Sequence, residues 1–173
     1  THSDLKIVLI FNISNGADKL IVEPGITSLA ELKNKRIAVE QSGVGAYMLS
    51  QVLRVAQLQS NEVIIVPSTI NQHFLMLSNH QVEAVISFDP VAYQLQGYIN
   101  LLDSSQLPGE IVDVLLTRDS AVHQQRKSIQ QLLNGYWQAR QYMTDNQQDA
   151  LTRMAPRLGV SNEELDHFYQ NLI

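Results

Sequence analysis

The sequence comprises 173 residues with a formal net charge of −5, and 45% of its residues are hydrophobic while 17% are charged. These proportions are typical of a globular protein of one domain or two small lobes. The Lys and Arg residues are scattered, which argues against a nucleic-acid partner. No apolar run approaches the roughly 18 residues of a membrane span, so the pattern predicts no direct membrane insertion of this segment. The absence of cysteine excludes disulfides, thiolate nucleophiles and zinc sites of the cysteine type.

Short apolar runs alternate with amphipathic stretches between residues 5 and 117. The run Leu5–Phe11 is β-branched and apolar on both faces, as in a buried strand, and Asn15-Gly16 after it predicts a hairpin turn into a second strand at Lys19–Val22. Further strands are predicted at 36–40, 63–67, 82–87, 98–102 and 111–116, with helices at 29–33, about 44–56, 74–77 and 91–95. This alternation predicts a three-layer α/β lobe with a mainly parallel sheet.

The pattern becomes purely helical from Ser120 onward. A long helix, a second helix that Gly159 ends and a third that begins at the capping box Ser161-x-x-Glu164 are predicted. We therefore expect two domains: an α/β ligand-binding lobe at residues 1–117 and C-terminal helices at residues 118–173.

Polar turns follow several of the predicted strands and form the candidate ligand site. Their residues are Ser14, Asn15, Asp18, Ser42, Gly43, Val44, Gly45, Ser68 and Asp89. The glycine-containing turn before a helix offers backbone N–H groups to an anion, and the hydroxyl, amide and carboxylate groups suit a small polar ligand. Three of these segments also have a plain structural explanation: a hairpin turn at residues 14–18, a tight turn at residues 42–45, and helix capping at Asp89-Pro90.

Catalytic and metal-binding patterns are not found in the sequence. The five histidines, which include His73 and His123, show no spacing of three or four residues, so they indicate surface or structural roles. No Gly-x-Ser-x-Gly motif is present. The sequence therefore predicts no metal, no cofactor and no catalytic residue.

Several segments, taken in order, resemble the NMT1/THI5-like substrate-binding proteins of nitrate, sulfonate, taurine and thiamine-precursor uptake systems. The segments are Ser14–Asp18, Ser28–Val39, Val82–Val85 before Asp89-Pro90, and Asp103–Val114. The stretch Ser28–Val39 is the most specific of them. The family's fold is the type II periplasmic-binding-protein fold, in which two α/β lobes close on a ligand.

The resemblance implies a function of binding without chemistry. It implies a solute-binding protein that captures a small polar organic molecule or anion, with crossover strands at both ends of the 1–117 lobe and a periplasmic or extracytoplasmic location. Its partners would be the ligand and a membrane permease or a fused signalling domain. The chain begins at Thr1 without a leader, and a family member would have a further segment before it. We therefore expect an incomplete first lobe, to which the helical segment at residues 118–173 would belong.

Three alternatives share this architecture. An extracytoplasmic ligand-sensing domain of a signalling protein would use the same cleft, and so would the sensing domain of a cytoplasmic transcription regulator. The family also contains an enzyme of thiamine-pyrimidine synthesis. That activity needs reactive Cys and His groups, and the chain has no cysteine.

Overall fold

A computed structural model of the chain describes residues 4–41 and 43–171. By their contacts these residues form two units, Ser14–Ile111 and the described parts of Thr1–Ile13 and Val112–Ile173. The strands are β1 (Leu5–Ile13), β2 (Asp18–Val22), β3 (Arg36–Val39), β4 (Ile64–Pro67), β5 (Ala84–Phe88), β6 (Ile99–Asp103) and β7 (Val112–Arg118). The α-helices are α1 (Gly43–Ala56), α2 (His73–Ser78), α3 (Asp119–Gln124), α4 (Arg126–Asp145), α5 (Gln147–Leu158) and α6 (Asn162–Asn171).

A five-stranded sheet of order β4-β3-β5-β2-β6 is the centre of the unit Ser14–Ile111. β3 pairs in parallel with β4 and β5, whereas β2 pairs antiparallel with both β5 and β6. Four strands therefore share one direction and β2 alone runs against them. The predicted α/β fold class is confirmed, with one reversed strand in the otherwise parallel sheet.

Helices cover both faces of this sheet. α1 turns Met48, Leu49, Val52 and Leu53 inward, and these side chains pack with Leu20 and Ile37 in the larger core cluster. On the other face Leu77 of α2 packs with Ala38 and Val85. Each wholly buried Leu or Ile contributes about 1.5–3 kcal/mol relative to an exposed side chain. The three layers of the prediction follow from this division of apolar residues between the two faces of each strand.

The second unit contains a two-stranded sheet and the C-terminal helices. β1 pairs antiparallel with β7 and the register shifts twice, between Ile7 and Leu9 and between Ile10 and Asn12. α4 packs on this ribbon through Tyr136, whose ring meets that of Phe11 at a centroid distance of 5.4 Å. Gly159 ends α5 at φ 70°, and Ser161 and Glu164 form a reciprocal capping box before α6. The predictions for these two helix boundaries are confirmed.

One prediction differs from the observed strand pairing. The β1–β2 hairpin is wrong, because β1 pairs with β7 while β2 enters the other sheet between β5 and β6. By contacts, β1 and β7 form a sheet of their own and group with the helices α3–α6. The expected domain boundary near residue 117 stays a prediction.

Candidate functional site

The polar turns that the sequence predicts as the candidate ligand site lie at one edge of the five-stranded sheet. β3, β4, β5 and β6 all end at this edge, and the reversed strand β2 begins there. It therefore receives Ser14, Asn15 and Asp18 before β2, Gly43, Val44 and Gly45 after β3, Ser68 after β4 and Asp89 after β5. Ser42 lies outside the described residues. The carboxyl edge of an open α/β sheet is where such folds bind ligands.

A chain of hydroxyl groups ties the loop before β2 to the end of β6. The Ser14 hydroxyl donates to Asp18 Oδ2 at 2.6 Å, and Ser14 Oγ lies 2.7 Å from Ser104 Oγ. A serine hydroxyl has one proton, so Ser104 must be the donor in the second contact. Ser104 Oγ in turn accepts the Gly16 N–H at 2.8 Å. The order of donation runs from Gly16 through Ser104 and Ser14 to the Asp18 carboxylate, and Ser14 is left with an acceptor lone pair.

Ser104 is wholly buried and was missed in the sequence analysis as a site residue. It lies 88 residues from Gly16 in the chain, and it reaches the loop only because β6 pairs with β2. The signal in the sequence was its position directly after a strand, within Asp103-Ser104-Ser105. Asp103 caps the short turn that follows by accepting the Ser105 N–H at 2.9 Å.

Asp89 forms an ion pair with Lys19 of β2. Both side chains are about one-fifth exposed, at 20% for Asp89 and 22% for Lys19. The Asp89 N–H donates to the Ala17 carbonyl at 3.1 Å, so backbone and side chain both join Asp89 to the start of β2. Asp89 does not cap the turn at Val91–Leu95, which removes the capping explanation. Lys19 is a cation at this edge that the sequence analysis did not select.

Gly45 permits the tight turn between β3 and α1. A Cβ at this position would lie 2.7 Å from the Glu40 carbonyl oxygen and 3.3 Å from Val39 Cγ2. Gly43 has φ +62°, in the left-handed region that favours glycine. The first turn of α1 carries no acidic side chain among its described residues, and the first N–H groups of any α-helix have no intrahelical acceptor. The turn is thus structurally required, and it places the first turn of α1 at the edge of the sheet.

Ser68 contacts a buried histidine. Its hydroxyl oxygen lies 3.0 Å from His73 Nε2, and its N–H donates to the Val39 carbonyl at 3.1 Å. His73 is wholly buried, and burial lowers its pKa to about 4. His73 Nδ1 and Ser87 Oγ are buried and have no hydrogen-bond partner in the part of the chain that the structure describes.

Neither a metal-binding cluster nor a membrane-spanning helix is found in the part of the chain that the structure describes. Among the side chains that the structure describes, no three His, Asp or Glu residues lie close enough together to hold a metal ion. None of the described helices has the length and hydropathy required to cross a membrane.

A family comparison matches residues 4–150 to the family described as NMT1/THI5 like. The chain belongs to this family. The resemblance identified from the sequence is therefore confirmed. Comparison with curated protein sequences finds no match.

Solved structures of three proteins share the fold of this NMT1/THI5-like chain. The periplasmic aliphatic sulphonate binding protein SsuA of Escherichia coli has a TM-score of 0.87 at 19% identity, over 99% of this chain and 60% of its own. The periplasmic nitrate-binding protein NrtA of Synechocystis has a TM-score of 0.71 at 16% identity, over 92% of this chain and 47% of its own. The desulfurization enzyme DSZB has a TM-score of 0.71 at 19% identity, over 94% of this chain and 63% of its own. The chain thus spans less than two thirds of each of these relatives.

Replacing Gly45 by Ala should destabilise the chain by about 1–3 kcal/mol, because the added methyl group overlaps the Glu40 carbonyl. Gly135 is the matched control, since it is an exposed helical glycine with nothing within 4 Å of its missing Cβ. Gly135→Ala should stabilise by up to about 1 kcal/mol. Urea unfolding of both variants measures the difference, and equal effects would contradict the close approach at Gly45.

Replacing Ser104 by Ala should cost about 1–3 kcal/mol, because the Gly16 N–H loses its buried acceptor and Ser14 loses its donor. Ser50 is exposed on α1, and Ser50→Ala is the control, with an expected change within about 0.5 kcal/mol. Hydrogen exchange at the amide of Gly16 should accelerate in the Ser104 variant alone. Unchanged protection of that amide would contradict the hydroxyl chain.

Acid should weaken the fold through His73. Its pKa in the folded chain is about 4, below the ordinary value of about 6.5 in an unfolded chain. The unfolded chain therefore takes up a proton first, and stability falls as the pH drops from about 6.5 to about 4, by about 3 kcal/mol in total. The free energy of unfolding should be measured across this pH range. In His73→Gln, its fall between about pH 6.5 and about pH 4 should be smaller by about 3 kcal/mol. His123→Gln, at an exposed position, controls for the loss of a histidine and should retain the full fall.

Proposed function

We propose that the chain is the ligand-binding part of a solute-binding protein that captures a small polar organic molecule or anion for an ABC-type uptake system. The observation that carries the proposal is the gathering of polar turns from five strands at one sheet edge of a chain in the NMT1/THI5-like family. Binding without chemistry is the proposed activity, and a periplasmic location and a membrane permease as partner belong to the same proposal.

The names of two structural relatives support this class of ligand. The E. coli relative is named for binding aliphatic sulphonates and the Synechocystis relative for binding nitrate. The sheet edge of this chain offers groups for an anion, namely Lys19, the Ser68 hydroxyl and the N–H groups at the start of α1. It also contains the carboxylates Asp18 and Asp89, which would bind an amino group.

The Lys19–Asp89 ion pair provides the test of ligand charge. Asp89 neutralises Lys19, so Asp89→Asn would free a cation for an anionic ligand and would remove a partner from an amine. We expect Asp89→Asn to increase the affinity for a purely anionic ligand. The same variant should decrease the affinity for a ligand held by an ammonium group.

The experiment is a thermal-shift screen of the chain against ethanesulfonate, nitrate, amino acids, polyamines and pyrimidines. At 100 times Kd a ligand stabilises the folded state by about 2.7 kcal/mol, which raises Tm by roughly 5–10 °C in a chain of this size. An anionic ligand should lose its shift in Lys19→Met. Lys33→Met is the matched control, because Lys33 pairs with Glu62 before β3 and β4, at the opposite edge of the sheet. The absence of any shift with the folded wild-type chain, or equal losses in the two variants, would contradict the proposal.

A further inference from the structure

His73 is a buried titratable residue with one polar contact outside its own helix in the described chain. It opens α2, its side chain is wholly buried, and its Nε2 lies 3.0 Å from the Ser68 hydroxyl. Ser68 is half-buried at the carboxyl end of β4, among the polar turns of the candidate site. Within the described residues, His73 therefore contacts this edge of the sheet through the Ser68 hydroxyl.

The position of the single ring proton follows from the surroundings. Burial keeps His73 neutral at pH 7, since its pKa is lowered to about 4, and a neutral imidazole has one N–H donor and one acceptor. A proton on Nδ1 would be a buried donor without an acceptor in the described chain. A proton on Nε2 donates to Ser68 Oγ and leaves only an unused lone pair on Nδ1. Unpaired buried donors are the rarer and costlier case, so the geometry favours the Nε2–H tautomer.

We propose that His73 is a positioning residue that directs the Ser68 hydroxyl proton toward the ligand. Because Ser68 Oγ accepts from His73, its own proton remains available as a donor for an oxygen of an anionic group. The inference rests on the proposed function in one respect, the identification of the acceptor as an oxygen of an anionic ligand. The Ser68 hydroxyl thus has a proton to donate, whereas the Ser14 hydroxyl donates its proton to Asp18 and has an acceptor lone pair left.

The same tautomer distinguishes the pair from a catalytic dyad. A histidine that activates a serine nucleophile accepts the hydroxyl proton at Nε2, and its Nδ1–H is held by an acceptor, usually a carboxylate. Within the described residues His73 Nδ1 has no such acceptor. Ser68 is thus a binding hydroxyl, although DSZB shows that an enzyme can have this fold.

The first measurement needs no ligand. Nitrogen-15 NMR of the histidine side chains in the intact chain should show His73 as the Nε2–H tautomer between about pH 5 and pH 8. A fluorophosphonate probe should leave Ser68 unlabelled. An Nδ1–H tautomer, or labelling that disappears in both Ser68→Ala and His73→Gln, would overturn the proposal whether or not the chain binds solutes.

The second measurement is the affinity for ethanesulfonate. A hydrogen bond to a charged group corresponds to about tenfold in Kd, so Ser68→Ala and His73→Leu should each weaken binding by about that factor. The double variant should be no weaker than either single one, because both remove the same directed proton. His73→Gln restores an N–H donor and should bind within about twofold of the wild type.

Measurements of Tm and affinity on the His73 variants distinguish a positioning role of His73 from a packing role. A packing role for His73 would lower Tm in His73→Leu without changing the affinity, and that result would overturn the inference. Wild-type protein that ignores ethanesulfonate would count against the oxyanion part of the proposed function. The tautomer result would still decide the arrangement of His73 and Ser68.

Discussion

The pairing of β2 between β5 and β6 is the constraint on which the candidate site depends. Leu20 and Val22 of this short strand are wholly buried, and its register with β5 places Lys19 opposite Ser87 and Asp18 opposite Phe88. Side chains of a strand alternate between the two faces of the sheet. A shift of the β2 register by one residue would therefore place Lys19 on the face covered by α1 and move Leu20 to the opposite face. The apolar residues of β2 thereby fix the positions of the polar ones at its start.

Buried residues at this edge determine whether the hydroxyl groups of two half-buried serines act as donors or acceptors. Ser104 is wholly buried and donates to Ser14, while His73 is wholly buried and contacts Ser68. Under the proposed function, neither buried residue would need to touch a ligand to influence which groups bind at the edge. Two serines that are chemically identical in the sequence therefore differ in the structure, because each hydroxyl has a different neighbour to satisfy.

The sequence predicted the α/β class, the strands of the sheet and most of the polar turns, because each depends on local apolar periodicity and on turn residues. It did not predict the partner strand of β1. Asn15-Gly16 suits a hairpin turn as well as a loop between two sheets, and β1 pairs instead with the distant strand β7. Ser104 and Lys19 were missed for the same reason: their partners lie 70 or more residues away. The burial of His73 could not be predicted either, because no local sequence pattern around Asn71-Gln72-His73 distinguishes a buried histidine from an exposed one.

The reversed direction of β2 has an evolutionary consequence. In a purely parallel sheet every loop at the carboxyl edge must lead into a crossover helix, so its length is coupled to the packing of that helix. The loop at residues 14–17 instead enters β2 directly and is free of that coupling. Insertions or exchanges there can change the polar groups of the edge while the two helical layers stay intact. Under the proposed function, this loop could therefore alter ligand preference without a change of fold.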